Sequence, residues 1–592
     1  MSHNIFATVR LRVLAALRGV VPDLNDDVAA RVEVTPPREA AHGDMATNAA
    51  LVAAKAAGRK PQDIAAALVA ALRADPLVAE ASAAGPGFVN LRLHPEAWRG
   101  LLPMILRAGE TYGDSTAGAG VRVNVEYVSA NPTGPMHIGH CRGAVVGDAL
   151  ANLLTKSGHD VTKEFYVNDA GNQVTALAWA AYYRYLQALE VPITEADFSD
   201  IVPGGLQYRG EYLVPVGEAL AAEFGTSLLS AEGWIAEPDA WLVPVRDVTI
   251  AMMLAQIRDD LAALGVVHDV FVRERDLLED RKVHAAIARL EDAGLVYRGV
   301  LEPPKGKTIE DWEPREQLLF RATAFGDDVD RPLQKSDGSF TYFANDIAYH
   351  AGKIGRGFDL MIDVWGADHG GYVKRMQAAA KAFGGTLDVV LCQIVHVLKG
   401  GQPLRMSKRA GTFITLRDLL DEVGPDAVRF TMLTRKADAQ MEFDIDQAVA
   451  QTRENPVFYV QYAHARCRSV LRAAGELLGE AALAPEALAG VALDSLENEA
   501  ELALLRRLGA WPRSVKAAAV AREPHRIAFF LSDLAADFHV LWNRGRDDSA
   551  LRFLQADRPA ETLARVALVA ATAATIRSGL AVMGVTPVEE MR

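Results

Sequence analysis

The stretch NPTGPMHIGH, residues 131–140, contains the first residues whose types and spacing suggest chemistry. His137 and His140 stand three apart, and Gly134 and Gly139 would let a ligand approach the backbone closely. A helix that begins here would direct its free N–H groups and the positive end of its dipole at a phosphate. Two alternatives stay open: half of a metal site, which needs further ligands, and incidental histidines in a turn.

A second segment, LRMSKRAGTFITLRDLL at residues 404–420, carries cations in a short polar loop before a predicted helix. Lys408 could follow a pyrophosphate leaving group as negative charge builds on it. A basic loop alone is more often a solvated surface. Combined with the histidine segment far upstream, it favours attack at the α-phosphorus of a nucleotide.

The segments around the two histidines predict the unit that must position them. VRVNVEYV alternates as a strand does, RGAVVGDALANLLTKSG has a helical pattern, and DVTKEFYVND predicts another strand. A strand, a glycine-bearing loop, a helix and a strand together predict a βαβ unit with a ligand site at its carboxyl edge. Sheet patterns resume at FTYFANDIAYH, FDLMIDVWGADH and LDVVLCQIVHVL.

Residues 119–445 are therefore predicted to form an α/β Rossmann-type parallel-sheet domain, with a mostly helical insertion at about 180–330. Residues 1–118 mix helix and strand patterns and end in the Gly-, Thr- and Ser-rich stretch AGETYGDSTAGAG, so they predict a small α/β domain and a linker. Residues 446–592 have only helical patterns and predict an all-α domain.

The net charge of −14 lies entirely in residues 119–450, because the segments on either side carry equal numbers of acidic and basic residues. An acidic centre suits a cationic substrate, and the neutral flanks leave nucleic-acid binding open. The three isolated cysteines exclude a disulfide framework and a CxxC zinc site. They also make the cytoplasm the expected compartment. No apolar run approaches the ~18–20 residues of a membrane span, so we expect a protein that does not enter the membrane.

PTGPMHIGH and RMSKR resemble the two signatures of class I aminoacyl-tRNA synthetases, and the chain as a whole resembles the arginyl-tRNA synthetase family. The resemblance extends from about residue 30 to the C-terminus, through segments such as HGDMATNAAL, FYVNDAGNQ, VWGADHGGYVKRM, GPDAVRFTML and VMGVTPVEEM. It implies that ATP activates L-arginine to arginyl-adenylate, which is transferred to the 3′ end of tRNA(Arg). Mg²⁺ would arrive with ATP. We expect a monomer and no protein-bound metal.

The resemblance also implies roles for individual residues. The catalytic residues would be His137, His140 and Lys408. The ATP site would comprise Gly134, Pro135, His137, Gly139, His140, Met406, Ser407 and Lys408. The arginine site would comprise Glu126, Asn131, Tyr342, Asp346 and either Asp368 or His369. Carboxylates match a guanidinium, and Tyr342 and Asp346 are four apart, so they could share a helix face.

For tRNA, the resemblance implies that residues 1–118 hold the D-loop side and residues 446–592 bind the anticodon, with contacts from Trp542 and Met591. Two positions depart from the family pattern. Arg405 replaces the first signature lysine, and Trp542 replaces the tyrosine of the FHxxYN type, which keeps a stacking surface but loses a hydroxyl. A core role for Trp542 stays open. The rival hypotheses are another class I synthetase and an RNA-binding relative without catalysis.

Overall fold

A computed structural model describes residues 4–37, 39–301, 315–335, 337–404 and 414–591. The chain divides into two compact units that are interleaved along the sequence. One unit consists of Met1–Ala117, Lys156–Gly158 and Ala450–Arg592, and the other of Gly118–Thr155 and His159–Val449. The first unit therefore contains both ends of the chain.

The N-terminal part of the first unit is a four-stranded antiparallel sheet, in the order β1-β2-β4-β3, with helices packed on it. Its elements are α1 (Ile5–Val20), α2 (Asp26–Ala30), β1 (Val34–Thr35), β2 (Met45–Thr47), α3 (Ala49–Ala57), α4 (Pro61–Leu72), β3 (Val78–Ala84), β4 (Phe88–Leu93), α5 (Pro95–Arg99) and α6 (Leu102–Ala108). Asn4 caps α1 by accepting hydrogen bonds from the N–H groups of Phe6 and Ala7. The predicted small α/β fold is confirmed.

The second unit is built on a five-stranded parallel sheet in the order β12-β11-β5-β6-β7. Its central elements are β5 (Arg122–Glu126), α7 (Ile138–Lys156) and β6 (Asp160–Val167). The chain runs outward from β5 to β6 and β7 and later returns to the other side of β5. The strand order therefore reverses beside β5, which is where ligands bind in open parallel sheets.

A helical excursion follows β6 and has its own core. It contains α8 (Asn172–Ala188), α9 (Glu195–Ile201), α10 (Val214–Phe224) and α11 (Pro238–Ala263). The rings of Tyr182 and Trp241 stack at the centre of that core, with centroids 3.9 Å apart. We call residues 172–263 the helical insertion.

The chain then returns to the main sheet as β7 (Val270–Arg273), so the segment expected to be an insertion, about 180–330, is not continuous. After β7 come α12 (Glu274–Glu279), α13 (Lys282–Asp292) and a small antiparallel sheet of β8 (Val296–Gly299), β9 (Gln317–Phe320) and β10 (Arg331–Pro332). The difference arises because β7 has only four residues, too few for a distinct strand pattern in the sequence.

The rest of the second unit completes the parallel sheet and adds a three-stranded sheet in the order β14-β13-β15. Its elements are α14 (Tyr342–Gly355), β11 (Leu360–Gly366), α15 (Val373–Ala382), β12 (Leu387–Cys392), β13 (Val395–Lys399), β14 (Gln402–Pro403), α16 (Leu416–Val423), α17 (Pro425–Met432), β15 (Met441–Asp444) and α18 (Ile445–Val449). Of the three later segments given sheet patterns from the sequence, FTYFANDIAYH instead begins the helix α14, and LDVVLCQIVHVL is divided between β12 and β13.

The C-terminal part of the first unit is helical, and no strand occurs among the described residues after Asp444. Its helices are α19 (Pro456–Leu478), α20 (Pro485–Ala489), α21 (Glu499–Ala521), α22 (His525–Asp547) and α23 (Pro559–Met583). The expected linker is partly packed into this bundle, because the buried Tyr112 donates a hydrogen bond to the carbonyl of Leu508 and accepts one from Trp511. These elements confirm the predicted fold class.

Two helices, α11 and α23, have the length and apolar composition of a membrane span, contrary to the sequence-based expectation. The share of the apolar window that is buried inside the protein is 83% for α23 and 39% for α11. The high burial of α23 is typical of a helix at the centre of a bundle.

Candidate active site

The two histidines lie together at the start of α7, on the loop that leaves the carboxyl end of the central strand β5. Their rings stack with centroids 4.0 Å apart. The backbone N–H of Gly139 donates to His137 Nδ1 over 3.1 Å. A Cβ atom on Gly139 would lie 2.8 Å from His137 Cε1, so this ring position requires glycine. The arrangement presents two imidazoles beside a helix N-terminus, as the phosphate interpretation expects.

A metal site at these histidines would need further ligands nearby. Among the described residues, the one group of three or more side chains placed to hold a metal ion is Glu126, His350 and Asp363, and it contains neither His137 nor His140. Lys353 already places its ammonium between the carboxylates of Glu126 and Asp363. The phosphate interpretation therefore fits the geometry of this loop better than the metal one.

The backbone joins the histidine loop to the segment that follows the second signature. The N–H of Leu416 donates to the carbonyl of Met136 over 2.8 Å, and His137 pairs with Thr415 in an antiparallel bridge. Thr415 also caps α16 in a capping box with Asp418. Arg405, Met406, Ser407 and Lys408, by contrast, lie outside the described residues.

A row of carboxylates crosses three neighbouring strands, at the carboxyl end of β5 and in the middle of β11 and β6. Asp363 on β11, Glu126 on β5 and Glu164 on β6 occupy adjacent register positions. Lys353 Nζ, fully buried, lies 2.5 Å from Glu126 Oε2 and 3.0 Å from Asp363 Oδ1. Burial raises the pKa of Glu126, and the Lys353 ammonium opposes that rise. Glu126 is thus in an ion pair within the protein.

Asp346 lies on α14, one turn after Tyr342, as the spacing predicted. Its Oδ2 accepts a hydrogen bond from the hydroxyl of Tyr372 over 2.7 Å. Burial raises the pKa of Asp346, and the nearby Asp363 carboxylate adds to the rise. No salt bridge involves Asp346 within the residues that the structure covers, so its carboxylate can receive a cation.

The other predicted arginine-site residues are more exposed. Tyr342 is 74% exposed, and Asn131 donates through Nδ2 to Gln173 Oε1 over 2.9 Å at the surface. The side chains of Asp368 and His369 are 78% and 64% exposed in the turn after β11. Within the described residues, Tyr372 reaches the carboxylate of Asp346, and neither Asp368 nor His369 contacts it.

Two residues beside Asp346 were missed by sequence reasoning. Glu274, which follows β7, is buried and accepts a hydrogen bond from Asn345 Nδ2 over 3.0 Å. Burial raises its pKa, and the charges of Asp346 and Asp169 contribute. Glu274 lies in the charged run ERDLLEDRK and gave no distinguishing signal, whereas the second missed residue, Asp363, interrupts the apolar strand LMIDVW and could have been noticed.

A groove of about 770 Å³ lies among the C-terminal helices, in the segment that the sequence predicted to bind the anticodon. Its polar and aromatic lining comes mainly from α19 and α22, together with Met591 near the C-terminus: Gln451, Thr452, Arg453, Phe458, Tyr459, Tyr462, Arg466, His539, Asn543 and Met591. The Arg466 guanidinium lies over the rings of Tyr462 and Trp542, at 4.1 and 4.6 Å from their centroids. Trp542 is half-buried against Phe538 and Phe553.

Comparison with known proteins shows which family the chain belongs to. Three family descriptions match the chain: "Arginyl tRNA synthetase N terminal domain" at residues 8–93, "tRNA synthetases class I (R), catalytic domain" at 102–196 and "DALR anticodon binding domain" at 460–591. An arginine–tRNA ligase of Gluconobacter oxydans is 62% identical, over 99% of this chain and 98% of its own. The chain belongs to the arginyl-tRNA synthetase family. The resemblance stated from the sequence is thereby confirmed.

Other arginyl-tRNA synthetases agree in sequence or in fold. An arginine–tRNA ligase of Cereibacter sphaeroides is 56% identical over all of both chains. The solved Thermus thermophilus arginyl-tRNA synthetase has a TM-score of 0.72 at 23% identity, covering 98% of this chain and 100% of that one. The Plasmodium falciparum arginyl-tRNA synthetase gives 0.70 at 14% identity, with 99% of each chain covered. These two structures confirm the fold.

Within this arginyl-tRNA synthetase fold, the match to the catalytic description covers the histidine loop and ends in the helical insertion. The match to the anticodon-binding description covers most of α19 and all of α20 to α23, with the groove between α19 and α22. The histidine loop and part of the groove lining therefore lie in matched segments, whereas Glu274, Asp346 and Asp363 lie outside all three.

Proposed function

We propose that the chain is an arginine–tRNA ligase that works in the cytoplasm as a monomer. The observation that carries this proposal is that a phosphate-binding loop and carboxylates suited to a guanidinium both occur in the parallel-sheet unit, where the strand order reverses beside β5. Stacked histidines stand at the start of α7, and two carboxylates for a guanidinium are the half-buried Asp346 on α14 and the buried Glu274 after β7. The full-length relatives named arginine–tRNA ligase support the same assignment.

In the first step, a carboxylate oxygen of L-arginine attacks the α-phosphorus of ATP. The new O–P bond gives arginyl-adenylate, and the bond between the α-phosphorus and the bridging oxygen breaks, so that pyrophosphate leaves. His137, His140 and the N–H groups at the start of α7 would stabilise the charge on the phosphates. Lys408 would follow the leaving group. Gly134, Pro135, Gly139, Met406 and Ser407 complete the proposed ATP site.

The guanidinium would lie against Asp346, with Glu274 as a second carboxylate. Both groups have a raised pKa because burial disfavours their charged forms. A bound guanidinium would add its charge to those of His350 and Arg375, which already oppose the rise in the pKa of Asp346. It would also bring planar N–H donors, which a lysine ammonium cannot match. Glu126, Asn131 and Tyr342 stay in the proposed arginine site. Because of their exposure, Asp368 and His369 have weaker support.

In the second step, a ribose hydroxyl of the terminal adenosine of tRNA attacks the carbonyl of arginyl-adenylate, and AMP leaves. Mg²⁺ would be carried by ATP, and we propose no metal held by the protein alone. Residues 1–118 would bind the D-loop side of tRNA(Arg), and residues 446–592 would bind the anticodon. The aromatic rings of the groove suit stacking with bases, and Met591 would contact the same bases. Trp542 packs under Arg466, which lines the groove.

The test is ATP–pyrophosphate exchange measured with each of the twenty amino acids, with and without tRNA. We expect exchange with arginine, none with lysine, and a requirement for tRNA, which the family resemblance implies. Strong exchange with another amino acid would contradict the substrate assignment. Full exchange without tRNA would leave the substrate assignment intact and contradict the coupling to tRNA.

A further inference from the structure

The helical insertion contacts the histidine loop through several side chains, including Gln173, which accepts a hydrogen bond from Asn131, and Tyr208 and Tyr212, which both bond Thr133. Tyr212 lies in the short turn Glu211–Leu213, before α10, and its hydroxyl donates a hydrogen bond to the carbonyl of Thr133 over 2.8 Å. Thr133 immediately precedes Gly134 in the loop that the proposed function assigns to ATP. The insertion, whose role the sequence left open, thus bonds directly to the backbone of that loop.

The contact is also a close packing contact. An ideal Cβ atom on Gly134 would lie 3.2 Å from Tyr212 Cζ and 3.3 Å from its Oη. These separations are below ordinary van der Waals contact, so a side chain at position 134 would have to displace the ring. Gly134 therefore fits this loop because the Tyr212 ring fills the space beside it.

The Tyr212 ring is held firmly from its own side. It packs with Tyr208 against the aromatic core of the insertion that includes Tyr182 and Trp241. A Cβ atom on Gly210 would lie 2.3 Å from the ring, so the backbone at 210 also limits where the ring can go. A residue anchored in this way can fix the position of the loop that it bonds.

We propose that Tyr212 is a positioning residue that holds Thr133 and Gly134 in the geometry needed for ATP binding, which gives the helical insertion a role in nucleotide binding. The proposal rests on the proposed function of the histidine loop. It predicts an effect on ATP that is separate from any effect on arginine, because Tyr212 contacts the loop and none of the carboxylates around Asp346.

The experiment compares Tyr212→Phe with Tyr185→Phe in the full-length protein. Tyr185 is a matched control, since its hydroxyl donates to the carbonyl of Gly225 over 2.7 Å elsewhere in the same insertion. We expect Tyr212→Phe to raise KM for ATP about three- to tenfold, as the loss of one hydrogen bond allows. KM for arginine should change less than about twofold, and Tyr185→Phe should leave both constants near those of the parent.

A second pair of variants tests the packing contact. Gly134→Ala should lower kcat/KM for ATP roughly fivefold or more in the parent, because the new methyl group meets the ring. In a Tyr212→Leu background, the same substitution should cost less than about twofold, since the ring is gone. Equal costs in both backgrounds would overturn the proposed coupling.

The outcomes distinguish a failure of the role of Tyr212 from a failure of the proposed function. If the parent protein shows exchange with arginine while Tyr212→Phe and Tyr185→Phe behave alike, the role of Tyr212 is overturned and the proposed function stands. If the parent shows no exchange with arginine and tRNA present, the proposed function is overturned, and this inference with it. A higher KM for ATP in Tyr212→Phe alone, together with non-additive Gly134 variants, supports both.

Discussion

Lys353 and Glu126 form a buried ion pair, with Nζ and Oε2 2.5 Å apart, at the carboxyl end of the central strand. The pair is part of a larger network, because Lys353 also bonds Asp363 and His350 Nε2 lies 2.8 Å from the other oxygen of Asp363. His350 Nδ1 faces the carbonyl of Asp346 over 2.8 Å, so both ring nitrogens face acceptors. Burial lowers the pKa of His350, but the Asp363 carboxylate outweighs that effect and the net shift is upward. The network fixes α14 against β5 and β11.

Replacing Lys353 should therefore be costly. Lys353→Met leaves Glu126 and Asp363 buried without their main counter-ion, and we expect the free energy of unfolding to fall by about 3–5 kcal/mol. Lys374→Met is the control, since Lys374 pairs with Asp328 at the surface and should cost less than about 1 kcal/mol. Urea unfolding of the two variants provides the measurement. Similar losses in both would show that the buried pair contributes no more than an exposed one.

Asp346→Asn should weaken arginine binding selectively. A guanidinium that faces a neutral amide in a buried site loses about 2–5 kcal/mol, by analogy with broken charge pairs, and kcat/KM for arginine should fall accordingly. KM for ATP should change little. Asp368→Asn is the matched control, because that side chain is 78% exposed. Equal effects of Asp346→Asn on both substrates would place Asp346 outside the arginine site. A large effect of Asp368→Asn on arginine would show that Asp368 belongs to that site.

Acid stability should depend on His268, which is buried among the rings of Tyr127, Phe165 and Phe271. Burial lowers the pKa of His268 to about 4, below the roughly 6.5 expected in the unfolded chain. Between these values the unfolded state binds the extra proton, so this group makes stability fall as pH drops from about 6.5 to 4. The loss from this one group amounts to about 3 kcal/mol.

His268→Phe should remove that loss, since an aromatic ring without a titratable group suits the same cluster. The difference in unfolding free energy between parent and variant, measured at several pH values, should therefore shift in favour of the variant as the pH falls through this range. His396→Phe, at an exposed position, is the control. A difference that does not change with pH would contradict the low pKa.

The groove between α19 and α22 predicts a defect confined to tRNA. Arg466→Met removes the cation held between Tyr462 and Trp542. We expect kcat/KM for tRNA to fall by a factor that corresponds to about 1–3 kcal/mol. Arg507→Met, which loses ion pairs with Asp533 and Asp537, is the control. Aminoacylation at varied tRNA concentrations gives the comparison. A similar loss in both variants would favour a general charge effect over a role for the groove.

The sequence predicted the parts of the fold that have strong local patterns. The alternation in VRVNVEYV, the glycine-bearing loop and the long apolar helix α7 were sufficient for the parallel sheet and the position of His137 and His140. The spacing of Tyr342 and Asp346 likewise placed them one turn apart.

The remaining features depend on contacts between distant segments. Local patterns could not show that Glu274 comes beside Asp346, because that depends on the four-residue strand β7 joining the main sheet. Nor could they show that Tyr372 is the side chain that reaches Asp346, or that Asp368 and His369 turn outward at the end of β11. Tyr112 lies in a glycine-rich stretch typical of a linker, and only the bundle around Trp511 explains its burial.

The burial of Tyr112 has a consequence for how the chain folds during synthesis. Its carbonyl oxygen accepts hydrogen bonds from Trp511 Nε1 and Ser578 Oγ, which are separated from it by 399 and 466 positions along the chain. A ribosome that makes the protein from its N-terminus releases these partners last, whereas residues 159–449 of the other unit have already emerged. Nascent chains that stall before α21 should therefore hold a folded parallel sheet and an exposed Tyr112, which chaperones that bind apolar segments can recognise.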